Sequence, residues 1–196
     1  MISRRMQIVL AVLVLVALGL GYYALRLRRQ TEEAMVTVHD NRPIAPPVSG
    51  QAEPARLFVA DDREGNIREQ QISLALPASP SSRAVTLLRA LTSAYLDSSS
   101  AHRLGEGADI RGVYFVNDNL AVIDLNADFA NKHRSGALVE ELTVISFAET
   151  LAAAFPKLTR VSFLVDGKER ETLAGHADLK ATFDVNTINQ LARELK

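Results

Sequence analysis

The four histidines of this sequence are the side chains best suited to hold a metal ion or to move a proton. They lie far apart along the chain, at His39, His102, His133 and His176. No two of them are four residues apart, the spacing that places two metal ligands on one face of a helix. Solvated or hydrogen-bonded surface histidines are therefore the simpler interpretation.

Carboxylates are the second group of candidate catalytic residues, because two acids about 5–10 Å apart can hydrolyse a glycosidic bond. Asp124 and Asp128 are close in sequence, and either is a candidate acid for such a reaction. Glu140 and Glu141 are adjacent on a predicted helix and point in different directions, so they do not converge. Asp124 and Asn126 are better explained by side-chain bonds to the backbone of a turn. The sequence therefore predicts no catalytic, cofactor-binding or metal-binding residue.

An uninterrupted apolar run precedes the part of the chain that carries most of these side chains. Residues 8–25 are all apolar or glycine, with two arginines shortly before them and three shortly after them. Eighteen helical residues reach roughly 27 Å, close to the hydrocarbon thickness of a bilayer. Residues 1–29 are therefore predicted to form an uncleaved transmembrane anchor, with a cleaved signal peptide and a buried core helix as the alternatives. The flanking charges are too similar to set its orientation.

Composition divides the remaining chain into a linker and one domain. Residues 30–54 read as a linker, with three prolines between positions 43 and 47 that favour an extended tether. Residues 55–196 are long enough for one domain with a real core. A net charge of −1 gives no electrostatic case for nucleic acid. The absence of cysteine excludes disulfides and thiolate metal sites.

The hydrophobic pattern of residues 55–196 predicts the order β-β-α-β-β-α-β-β. The predicted strands are 55–60, 67–76, 110–116, 120–125, 160–165 and 170–173. One predicted helix is capped by Ser81 or Ser82, a second covers 136–155, and a terminal amphipathic helix covers 186–195. The predicted fold class is α+β, a mixed β-sheet with two main helices packed on one face, preceded by the transmembrane helix. Such a sheet can present its other face to a partner.

Several segments occur in the order found in a known family. Residues 121–129 (AVIDLNADF), 147–151, 161–167 and 171–179 resemble the motifs of the GerMN domain, which is named after a spore-germination protein and occurs in many bacterial envelope proteins. The resemblance covers about residues 55–185. Asn126 departs from it, because the family often has serine there, and residues 98–107 are longer than the family minimum.

The resemblance implies a membrane-anchored, extracytoplasmic, non-enzymatic binding or assembly module of the bacterial cell envelope. The alternatives are a peptidoglycan-acting envelope hydrolase and a regulator that faces the cytoplasm. The implied location is the inner membrane, crossed once, with the domain outside. The implied partners are an envelope protein or cell-wall glycan, with no cofactor and no nucleic acid. The fold is similar to ring-building domains, which leaves homo-oligomers open.

Overall fold

A computed structural model describes residues 52–194, in which six strands and four helices follow one another. The strands are β1 Glu53–Asp61, β2 Asn66–Leu74, β3 Ile110–Val116, β4 Leu120–Leu125, β5 Arg160–Val165 and β6 Phe183–Asp184. The helices are α1 Pro80–Leu96, α2 Ala127–Asn131, α3 Ala137–Ala154 and α4 Val185–Glu194. The predicted anchor, residues 1–29, and nearly all of the predicted linker lie outside the described residues. Across 52–194, no helix is long and apolar enough to cross a membrane.

The strands form two sheets. β1 and β2 make an antiparallel hairpin by themselves, in register from Glu53↔Leu74 to Asp61↔Asn66. The other sheet has the order β3-β4-β5-β6, with β4 and β5 parallel and the other neighbours antiparallel. The predicted α+β class and the mixed character of the main sheet are confirmed. The prediction that all strands share one sheet is wrong.

The outer edge of β1 explains why the hairpin stays separate. The backbone N–H of Phe58 donates to the Thr150 hydroxyl on α3 at 3.0 Å. Two residues further along the same edge, the N–H of Ala60 donates to the Tyr95 hydroxyl on α1 at 2.8 Å. Because helix side chains take these donors, the edge of β1 is not available to another strand.

Helix α3 contains a long run of buried residues, from Leu142 to Leu151. Its apolar side chains fill the core, as the sequence pattern predicted; Leu142, Ile145 and Leu151 are each at most 1% exposed. Polar side chains on α3 are also buried, namely Glu140, Thr143, Ser146, Glu149 and Thr150. The helix therefore has no continuous solvent face along its central turns, and its polar groups need partners inside the domain.

The predicted element boundaries agree with the structure in most places. The β3–β4 hairpin and β5 have the predicted bounds, and α3 and the terminal helix differ by one residue at each end. Helix α1 begins earlier than predicted, because Ser79 occupies the cap position and Pro80 starts the first turn. The short helix α2 was not predicted; the Asn126 side chain caps it by accepting from Phe129 N at 2.9 Å.

The predicted strand at 170–173 is wrong. In this region there are turns and isolated bridges, including Thr172↔Asp178, and the strand beside β5 is instead the two-residue β6. The backbone N–H groups of Ala174, His176 and Ala177 all donate to the Glu140 carboxylate on α3. These bonds draw the segment toward the helix and away from the sheet.

We predict that Tyr95→Phe lowers the free energy of unfolding by about 1–3 kcal/mol, because the buried N–H of Ala60 loses its acceptor. Chemical denaturation measures the change. Tyr114→Phe is the matched control, since the Tyr114 ring is half-buried on β3 and its variant is expected to stay within about 0.5 kcal/mol of the parent. Equal stabilities of the two variants would contradict this account of the β1 edge.

Candidate functional site

Two of the four histidines meet in a buried polar network. His102 Nδ1 lies 2.6 Å from Asp62 Oδ1, and His102 Nε2 lies 2.9 Å from the Thr143 hydroxyl. The same hydroxyl lies 2.8 Å from His133 Nε2, while His133 Nδ1 lies 2.7 Å from the carbonyl of Arg134. His102 is 1% exposed and His133 is 7% exposed. The prediction that these two are surface histidines is therefore wrong, whereas their hydrogen-bonded state is confirmed.

The two rings of this network have different surroundings. Burial lowers the pKa of His133, with the neighbouring His102 adding to the effect. His133 Nδ1 must carry a hydrogen, because the carbonyl of Arg134 can only accept. His102 instead faces Asp62, whose second carboxylate oxygen is held by the Arg134 guanidinium at 2.9 Å.

The order carboxylate, imidazole, hydroxyl is also the order of a nucleophilic triad. Thr143 is 1% exposed, and its hydroxyl lies within 3.0 Å of the Val139 carbonyl in the preceding helical turn. At 1% exposure Thr143 offers no surface to a substrate carbonyl, and it lines neither of the two cavities described below. We therefore assign the network to structure. It joins the β1–β2 turn, the α1–β3 loop and the α2–α3 loop to α3.

Glu140 is the second buried charge of α3. Its carboxylate is 0% exposed and accepts the backbone N–H groups of residues 174, 176 and 177 at 2.9–3.0 Å. It also lies 3.0 Å from His176 Nδ1. Burial opposes its ionisation, but the bonds from Ala174, Ala177 and His176 outweigh burial and lower the pKa of Glu140 to about 2. The carboxylate is therefore ionised and fixes the loop that precedes β6.

The two candidate catalytic acids, Asp124 and Asp128, each bind different neighbouring residues. Asp124 accepts from Gly167 N at 2.8 Å and faces Arg111, which also binds Asp166 at 2.7 Å. Asp124 therefore holds the turn after β5, whereas the bonds expected at the exit of β4 are made by Asn126. Asp128 instead pairs with Lys132 on the same short helix at 3.1 Å and is about half exposed. Glu141 is exposed beside the buried Glu140, as adjacent helical positions require.

Two arginines of α1 have specific partners. Arg83 pairs with Glu53 at the start of β1, at 2.7 Å. Arg89 makes two bonds to Asp109 and a third, of 2.8 Å, to the carbonyl of Ile110. These bonds hold α1 against both sheets, while Arg103 is exposed in the following loop.

One face of the four-stranded sheet is buried and the other is not. The inward side chains of β4 and β5 are buried, including Ile123 and Phe163, which are directly paired. Apart from Asp124, the opposite side chains are partly or largely exposed, and Val116 is 45% exposed. We call this surface the open face; its uncharged residues are Tyr114, Val116, Leu120, Val122, Ser162 and Leu164. Arg160 and Asp124 lie on the same face, and Asp124 is paired with Arg111. The open face therefore combines apolar and aromatic area with charged groups, as protein-binding surfaces do.

A groove of about 400 Å³ lies at the end of this sheet. Its walls include Phe115 and Phe155, whose ring centroids are 4.7 Å apart, and Pro156. Asp118 and Lys157 also line the groove and form an exposed ion pair of 3.7 Å. Phe115 points to the other side of β3 from Tyr114 and Val116, so the groove lies on the helix side of the β3–β4 hairpin, apart from the open face.

Comparison with known proteins identifies a family for this chain. A family model described as Germane, sporulation and spore germination, matches residues 56–171, which is more than half of the chain. No curated protein matches the chain at a significant level.

Three solved structures are similar at low identity. A candidate lipoprotein from Clostridium perfringens is 20% identical, over 76% of this chain and 97% of that one, with a TM-score of 0.47. The tandem GerMN domains of the sporulation protein GerM from Bacillus subtilis are 22% identical over 65% of this chain, with a TM-score of 0.49, and this chain covers only 44% of that one. The first GerMN domain of the same protein is 21% identical, over 65% of this chain and 92% of that one, with a TM-score of 0.45.

We predict that Thr143→Val destabilises the domain by about 3 kcal/mol, because two buried imidazole nitrogens lose their shared partner. Thr92→Val is the matched control: Thr92 is equally buried on α1, but its hydroxyl donates only to the Leu88 carbonyl. Thermal unfolding compares the two variants. Imidazole nitrogen NMR of the parent should find a hydrogen on His133 Nδ1, because the carbonyl of Arg134 can only accept; an unprotonated Nδ1, or equal destabilisation by the two variants, would contradict this account of the network.

We also predict an acid-sensitive component of stability from Glu140. Its folded-state pKa is lower than its ordinary value of 4.5, so the unfolded chain binds the proton more tightly. The stabilisation is complete above pH 4.5 and is lost as the pH falls toward about 2. In Glu140→Gln this component should be missing, so that the stability difference from the parent shrinks below pH 4.5. Glu141→Gln, next to it and exposed, should follow the parent curve; a parallel Glu140→Gln curve would contradict the assignment.

Proposed function

The chain belongs to the Germane family of sporulation and spore germination, and from this membership we propose that it is a non-enzymatic binding or assembly module of the bacterial cell envelope. The open face of the four-stranded sheet is the observation that carries the proposal. Tyr114, Val122 and Leu164 lie side by side on it and keep part of their surface in solvent. A monomeric domain gains nothing from an apolar sheet face, whereas a partner gains burial.

The geometry of the sheet favours docking of a protein surface on this face. β4 and β5 are central strands, so their backbone groups are already paired and a partner must contact side chains. An envelope protein that brings its own apolar patch is the partner we propose, with a second copy of this chain as a special case.

We further propose that residues 1–29 anchor the chain in the inner membrane and hold the domain outside the cytoplasm. The apolar run between residues 8 and 25 supports the anchor. The proline-rich residues that follow support a tether between membrane and domain. Such an arrangement presents the open face to other envelope components.

The glycan-hydrolase alternative finds no support in the described residues. Asp124 is bound to Gly167 and Arg111 on the sheet, whereas Asp128 is bound to Lys132 on α2. Their contacts are with different elements, and neither residue lines a described cavity. A glycosidase needs both acids on opposite sides of one substrate bond.

Site-specific crosslinking tests the proposal directly, because the chain has no cysteine of its own. Single variants Ser162→Cys and Val116→Cys on the open face are labelled with a photoreactive maleimide in spheroplasts. We predict a discrete crosslinked product from both positions. A membrane-impermeant maleimide should also react with both before lysis, since the domain is proposed to lie outside.

Ser93→Cys is the matched control, because Ser93 is exposed on α1 and distant in sequence from the open face. It should label equally well and give no discrete product. Equal crosslinking from all three positions would contradict the open face as the docking surface. Labelling only after lysis would contradict the proposed sidedness.

A further inference from the structure

A second apolar cavity, of about 270 Å³, lies between α3, α4 and the loop that Glu140 holds. It contains none of the residues of the open face. Its apolar wall is formed by Val144, Ile145, Phe183, Ile188 and Leu191. Two polar side chains also line it, His176 from the loop and Glu141 from α3. It therefore combines an apolar interior with two ionisable groups, as small-ligand sites do.

The buried Glu140 carboxylate determines which ring nitrogen of His176 carries a hydrogen. Ionised Glu140 can only accept, so the Nδ1 atom of His176, 3.0 Å away, must carry a hydrogen. In the neutral ring, Nε2 on the other side is then a hydrogen-bond acceptor. It has no hydrogen-bond partner among residues 52–194. The His176 side chain is 48% exposed, so a ligand can reach it.

The second polar group at this cavity is also an acceptor. Glu141 is an exposed carboxylate that has no ion pair within the described part of the chain. No lysine or arginine lines this cavity, so the Glu141 carboxylate gives it a negative charge at neutral pH. A ligand that places a hydrogen-bond donor or a positive charge between Nε2 and Glu141 satisfies both groups.

We propose that this cavity binds a small apolar group that ends in a cationic hydrogen-bond donor, such as a primary ammonium. The apolar body would contact Ile145, Phe183 and Ile188, and the ammonium would lie between His176 Nε2 and the Glu141 carboxylate. The volume corresponds to about nine water molecules of roughly 30 Å³ each, which suits a ligand of about eight to ten heavy atoms. Free amines and exposed amine-bearing side chains of a partner share this chemistry.

Benzylamine is the probe for this site, with benzyl alcohol and benzoate as ligands of the same shape and different charge. The full chain in phospholipid nanodiscs is titrated and observed by NMR at the Ala177 amide and the His176 imidazole. We predict saturable shifts at both groups with benzylamine, with a Kd in the millimolar range expected of so small a ligand. Benzyl alcohol should bind more weakly, and benzoate should give no saturable shift.

Substitutions at Glu141 test the charge argument without touching the core. Glu141→Gln should weaken benzylamine binding about two- to fivefold, and Glu141→Lys should abolish it and allow benzoate to bind. Glu64→Gln, an exposed glutamate in the β1–β2 turn, is the control and should leave the Kd unchanged. Failure of all three ligands to shift the two groups, or binding of benzoate as tight as benzylamine, would overturn the proposal. Crosslinking from the open face does not depend on this cavity, so the two proposals fail independently.

Discussion

The fold depends on a line of polar side chains along the buried helix α3. Glu140, Thr143, Ser146 and Thr150 recur every three or four residues and are each at most 1% exposed. Most of them bond to another element: Glu140 to the loop at 174–177, Thr143 to two histidines in different loops, and Thr150 to the edge of β1. A buried polar group without a partner costs about 1–3 kcal/mol, so these elements must meet the helix in one register.

The same constraint decides which surfaces remain free. Backbone N–H groups at the edge of β1 donate to the Thr150 and Tyr95 hydroxyls. The hairpin therefore packs on α3 and cannot extend the main sheet. Its own outward strand, β2, carries charged and amide side chains over Arg68–Gln71, which oppose edge-to-edge association. The open face of the other sheet remains available to a specific partner.

Local signals in the sequence were sufficient for most elements. Asn117 and Asp118 adopt positive φ values of 54° and 57°, the conformation that their residue types tolerate in a tight hairpin turn. The buried partners of α3 were not predictable in the same way, because threonine and serine on a helix are equally compatible with a solvent face. His102 and His133 are 31 residues apart, and only the packing of two loops on Thr143 brings them together. The sequence did contain one indication of these buried contacts: polar residues recur every three or four positions along the otherwise apolar helix α3.

A carboxylate–histidine pair occurs twice in this domain, and the two pairs differ in how far the histidine ring is buried. In Asp62–His102 both side chains are at most 7% exposed, and the far nitrogen of the ring is taken by Thr143, so every acceptor and donor is used internally. In Glu140–His176 the carboxylate is buried but the ring is half exposed, and its far nitrogen faces no described partner. The first pair can only fix loops in place. The second pair has the same geometry with one unused acceptor beside an apolar cavity, which is the arrangement that a ligand with a donor group completes.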